Sequence, residues 1–125
     1  MDLPKNQKSF QLDYTGELTG KRYEGTFTVK CVLNMAEKRK LEIERSGLSA
    51  DLTNPTGNLN AISLVVSNLR VRVTDAPDWF KQAIITLDIL DEDVLFELYS
   101  KSLDKSEEWI SEVKKKSLGE VEAGN

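Results

Sequence analysis

Leu69-Arg70-Val71-Arg72-Val73-Thr74-Asp75-Ala76-Pro77-Asp78-Trp79-Phe80 decides how this chain folds, because an apolar-periodic run there meets a proline and then two adjacent aromatic rings. Upstream of it, Leu59, Ile62, Val65, Val66, Leu69 and Val73 recur at spacings of three and four. That spacing predicts one apolar stripe along a helix of about three to four turns. Val71 and Val73 on either side of Arg72 fit the end of that helix or an extended segment equally well. Downstream, Pro77 has the fixed φ of a first helical turn, with Asp75 as the expected cap of a short helix carrying Trp79 and Phe80. Large adjacent rings are usually buried, so packing is the first expectation for them.

Toward the N-terminus the period changes from helical to two. Phe10, Leu12 and Tyr14 alternate with polar residues, and after Thr15-Gly16-Glu17-Leu18-Thr19-Gly20-Lys21 the alternation resumes at Tyr23, Phe27, Val29 and Cys31. This is the pattern of a β-hairpin, with Gly16 and Gly20 available for positive φ in the connection and Gly25 as a candidate bulge. Thr26, Thr28 and Lys30 then face water. Asn34, three residues before Glu37, has the spacing of a capping box, and predicts an exposed helix from Met35 to Ser46 that Gly47 stops. Residues 48–60, with Asn54-Pro55-Thr56-Gly57-Asn58, read as a loop.

Leu90-Asp91-Glu92-Asp93-Val94-Leu95 reads as a second strong helix start. Asp91 is the expected N-cap, acidic residues fill the first turn, and Leu90 is placed to staple against Leu95. Val94, Leu95, Leu98, Tyr99, Leu103, Ile110 and Val113 form the apolar face of the long helix that follows. Glu97 with Lys101 and Glu112 with Lys116 are i,i+4 pairs. The chain thus reads as an α+β protein: an N-terminal antiparallel β-hairpin or small sheet packed on three to four helices, the C-terminal one longest. Two strands alone are marginal in water. The face bearing Phe10, Leu12, Phe27 and Val29 therefore needs cover, from the Ile62/Val65/Val66/Leu69 stripe or from a symmetry mate. The expected organisation is a flexible segment at 1–8, a single domain over 9–116 and a flexible tail at 117–125.

Composition narrows the chemistry. The 125 residues suit one domain, and 39% hydrophobic with 30% charged residues is an ordinary globular balance. A net charge of −4 disfavours a nucleic-acid backbone, and no apolar run approaches a membrane span. The chain has no histidine and one cysteine, so the usual groups of acid/base and nucleophilic catalysis are scarce. Cys31 reads as a small buried hydrophobe. Asp88, Asp91, Glu92 and Asp93 lack the glycine and the alternate oxygen donors of a calcium loop, and capping accounts for them. The expectation is a non-enzymatic protein with no catalytic residues, no cofactor and no metal.

Three short motifs, in order along residues 10–115, carry a resemblance. They are Thr19-Gly20-Lys21-Arg22-Tyr23-Glu24-Gly25-Thr26-Phe27-Thr28-Val29-Lys30, the Leu69 to Phe80 stretch with its Ala76-Pro77 and Trp79-Phe80, and Asp88-x-Leu90-Asp91-x-x-Val94 with Tyr99. Together they resemble small proteins of tailed bacteriophages of the tail assembly chaperone type. The resemblance implies a phage assembly protein that holds apolar helical segments of tape-measure or tail-tube proteins. It implies partners among tail or other virion proteins, with homo-oligomers an option, and a location in the host cytoplasm or the virion. A small capsid or tail decoration or completion protein is the alternative. On this reading Trp79, Phe80, Leu95, Leu98 and Tyr99 form the wall of a partner groove.

Overall fold

The alternation of the first thirty residues becomes a hairpin that three of the helices then cover. In a computed structural model, the structure describes residues 3–49 and 57–123, with side chains described for 3–48 and 60–118. The elements are β1 (Lys8–Thr15), β2 (Arg22–Val29), α1 (Met35–Ser49), α2 (Gly57–Arg72), β3 (Val73–Asp75), α3 (Asp78–Thr86) and α4 (Glu92–Ala123). Among these residues the fold is a three-stranded antiparallel sheet in the order β1-β2-β3 with four helices, an α+β architecture with a long C-terminal helix.

The sheet is covered by the chain's own helices. Leu12 and Phe27 on its inner face pack with Val65, Val66 and Leu69 of α2, Phe80 and Ile84 of α3, and Val94, Leu95 and Leu98 of α4. Phe27 is fully buried, with its ring 5.2 Å from Phe80 and 5.7 Å from Phe10. Burial of each such side chain contributes about 1.5–3 kcal/mol. On the outer face Ser9 pairs with Thr28 and Gln11 with Thr26, as the alternation predicts.

Gly25 is no bulge. The β1–β2 register runs unbroken from Lys8↔Val29 to Thr15↔Arg22 through Leu12↔Gly25, and the irregularity falls between Thr28 and Val29, where β3 joins. A side chain at Gly25 would meet Pro77, since a Cβ there would lie 2.6 Å from the ring Cγ, and the residue sits at φ 152°. Glycine lets the loop before α3 close onto the sheet. The ambiguous Val71-Arg72-Val73 divides: Val71 and Arg72 end α2, and Val73 opens β3.

The capping box forms as predicted, Asn34 and Glu37 each accepting from the other's backbone N–H at 2.8 and 3.0 Å. Glu37 also holds Lys30 in an ion pair. Gly47 does not stop the helix, which continues to Ser49. A glycine in an exposed helix costs only about 1 kcal/mol, less than the neighbouring turns supply. Of the loop expected over 48–60, the ends are helical, since α1 runs to Ser49 and α2 begins at Gly57; residues 50–56, with Asn54-Pro55-Thr56, lie outside the described residues. Asp75 does not cap α3 either. Its carboxylate accepts from the Ala76 N–H, and Pro77 stands at the N-cap with no side-chain bond. Asn6 exchanges two hydrogen bonds with the Val32 backbone, Trp109 donates to the Pro4 carbonyl at 3.1 Å, and α4 runs to Ala123.

Candidate functional site

Two buried polar hubs fix the frame around which any surface site is built. The first is Asp91, expected to cap α4. It does stand just before that helix, but its fully buried carboxylate reaches back to the hairpin turn instead. It accepts from the Leu18 and Thr19 N–H groups, each at 3.0 Å, from the Thr19 hydroxyl, and from the Tyr23 phenol at 2.8 Å. The Thr19 hydroxyl leads the contacts that hold its pKa down at about 2, against the opposing effect of burial. Gly16 permits this approach, since a Cβ there would fall 2.2 Å from the Asp91 carboxyl carbon. Asp93 does the same at the turn's other side, accepting from the Glu17 N–H and from Tyr14, whose phenol is pushed up to about 12 chiefly by that bond. Both Asp91 oxygens and the Asp93 Oδ2 thus bond to the hairpin. Leu90, the expected staple to Leu95, keeps 70% of its surface in solvent.

The second hub is Arg72, buried at the α2–β3 junction. Its guanidinium donates to the carbonyls of Lys30, Cys31 and Ser102 and to the Ser106 hydroxyl, joining the end of β2 to α4. Burial lowers its pKa. Beside it Cys31 is buried, and burial pushes its thiol up, away from a reactive thiolate.

The residues expected to form a docking wall come together, but mainly inside. Phe80, Leu95 and Leu98 are core residues, and Tyr99 packs half-buried against them. Trp79 is half-buried between Tyr23 and Phe27, its ring 5.1 and 5.8 Å from theirs, with the indole N–H donating to the Glu24 carbonyl at 2.9 Å. Its hydrogen bond and ring contacts clamp α3 to β2. It also borders a shallow depression of about 300 Å³ with Thr19, Lys21 and Leu90.

A concavity larger than this depression lies on the other side of α3. A groove of about 550 Å³ runs between α1, β3 and α3, with Leu69, Val71, Ala76, Phe80 and Ile84 in its floor. Its lips carry Lys40, Glu44, Arg70, Asp75 and Lys81, with Val73 and Ile85 between them. Arg70 closes one end: it donates to the Ile84 and Ile85 carbonyls at the C-terminus of α3, at 2.8 and 3.3 Å, and reaches Glu44 of α1 at 3.2 Å. Lys81 and Asp75 face each other at 3.9 Å across another part of the rim. β3 is an outer strand of the sheet, so its far edge borders this groove. Ile85 leaves 73% of its surface in water at the lip. An apolar floor inside a charged rim can hold an apolar segment of another chain and fix its ends by charge.

Of the groove's residues only Phe80 was expected from the sequence as part of a docking wall. A signal for Ile85 was nevertheless present. Phe80, Ala83 and Ile84 complete the buried stripe of α3 at i, i+3 and i+4, so Ile85 is an apolar residue left off that stripe. The groove itself leaves no sequence signal, because α1, β3 and α3 meet there only through tertiary packing.

The chain matches no family model, no curated protein and no solved structure. Among the described residues no helix is long and apolar enough to cross a membrane.

Proposed function

We propose that this chain is a non-enzymatic assembly protein of tailed bacteriophages, of the tail assembly chaperone type. It holds an apolar helical segment of a tape-measure or tail-tube protein in the groove between α1, β3 and α3, and it acts in the host cytoplasm. The observation that carries the reading is the exposed Ile85 above an apolar floor, inside a rim of Lys40, Glu44, Arg70, Asp75 and Lys81. A volume of about 550 Å³ lies within the range of binding clefts and receives the anchor side chains of one amphipathic face. The resemblance of the Thr19–Lys30, Leu69–Phe80 and Asp88–Tyr99 motifs supplies the class of partner. Phe80 contributes to the groove's floor; Leu95 and Leu98 belong to the same core cluster as Leu69, Phe80 and Ile84, and Trp79 and Tyr99 pack against that cluster.

Co-expression with the tail proteins encoded beside it tests this directly. The wild-type chain is expected to co-purify with one of them. Ile85→Glu is expected to weaken that capture at least about tenfold while the thermal melt stays unchanged, because a surface anchor is lost and no core contact is. Failure of every tail protein to co-purify, or capture undiminished by Ile85→Glu, overturns the assignment. In purified particles the chain is expected to be absent; fixed copy number there identifies a virion component instead.

A further inference from the structure

The outer flank of α4 presents Leu103, Glu107, Ile110, Lys114 and Leu118, all exposed. At 100° per residue the five fall within an arc of about 80° and span about 22 Å of helix. The opposite flank is the one tied to the body: Trp109 donates to Pro4, Glu112 accepts from Lys8 at 2.6 Å, and the Ser106 hydroxyl meets the Cys31 carbonyl. The outer stripe makes none of these contacts, yet it carries three large apolar residues, with Leu103 and Ile110 each 39% and Leu118 62% exposed.

The order of the five is self-complementary when reversed. Read from either end, a leucine comes first, a charged residue second and Ile110 in the middle, and the two charged positions have opposite sign. We propose that this face pairs antiparallel with the same face of a second copy of the chain. Ile110 then lies at the two-fold axis, Leu103 of each copy packs on the other's Leu118, and Glu107 of each lies across from the other's Lys114. A parallel pair sets Glu107 against Glu107 and Lys114 against Lys114, so charge selects the antiparallel arrangement. Flanking charges agree with it: Asp104 lies toward the end that meets the other copy's Lys115. Glu108 and Glu112 are engaged within the protomer by Lys105 and Lys8 and take no part. The dimer leaves the α1–β3–α3 groove untouched, so it stands independently of the partner reading.

An isologous helix pair of this length falls below the roughly 1,600 Å² of a standard interface, so the association is expected in the micromolar range. Sedimentation equilibrium of the full chain up to about 500 µM reads it out. The wild-type chain is expected to dimerise with concentration, less so at high salt. Ile110→Glu and, separately, Leu118→Asp are expected to leave a monomer with an unchanged melt, because both positions are exposed. Glu107→Lys alone is expected to weaken the dimer at least about tenfold, and Glu107→Lys combined with Lys114→Glu to restore it, since reversing both charges re-creates the attractive pairs. A wild-type chain monomeric throughout, a dimer that survives Ile110→Glu, or a double reversal that fails to restore association each overturns the proposal.

Discussion

Asp91 gathers three donors from the hairpin turn and the Tyr23 phenol of β2 onto two carboxylate oxygens, and through them a residue at the mouth of α4 shapes a loop more than seventy positions upstream. Asp91→Asn replaces one acceptor oxygen with an NH₂ group facing donors. At pH 7 this is expected to lower the melting temperature by roughly 10 °C. The pH dependence has a definite sign. The folded-state pKa is depressed to about 2, so the stabilisation is complete above the ordinary carboxyl range near 4 and is lost as pH falls through about 2. Thermal melts of the two proteins are expected to converge across that window; a constant gap from pH 7 to 2 contradicts the assignment. The sequence made Asp91 legible as a helix-start residue, because capping is local. Its true donors were not legible, since nothing near Asp91 in the chain announces Thr19 or Tyr23. Glycine 16 was likewise marked as a turn residue, but the reason for it, clearance for a distant carboxylate, is tertiary.

Among the elements, β3 depends most on a single side chain. It is three residues long and follows α2 without a loop, so the helix-to-strand switch is held by Arg72 and its carbonyl partners. Arg72→Ala takes the guanidinium donor from the Lys30 carbonyl and leaves the Cys31 and Ser102 carbonyls to share the one Ser106 hydroxyl, and is expected to cost about 2–4 kcal/mol, read as a lower urea midpoint at unchanged m-value. A loss under about 0.5 kcal/mol, typical of a surface change, contradicts that role. Elements with strong local signatures were readable in advance: the hairpin from its period of two, α1 from Asn34 and Glu37, α4 from its acidic first turn. The boundaries at Gly47 and Val73 were not, because each is decided by what the segment packs against. The same division explains the aromatic pair. Adjacency of Trp79 and Phe80 showed that they matter to packing, while which ring enters the core depends on how α3 lies on the sheet.

At the scale of the molecule, the sheet and helices enclose the core, and among the described residues the groove beside β3 and the outer stripe of α4 leave apolar side chains outside it. Neither was visible as a surface in the sequence. The stripe residues Leu103 and Ile110 read as part of one continuous apolar face of α4, and only the side of that helix on which Ser106, Trp109 and Glu112 meet the body separates packed from exposed positions. The central claim is that the groove between α1, β3 and α3 seats an apolar segment of a tail protein. Amide hydrogen exchange on this chain alone and saturated with its co-purifying tail protein tests it most directly. Slowed exchange at residues 40–44 and 73–86, with the Asp91 hub and the outer face of α4 unchanged, is the predicted result. Partner binding that leaves 73–86 unprotected would contradict it.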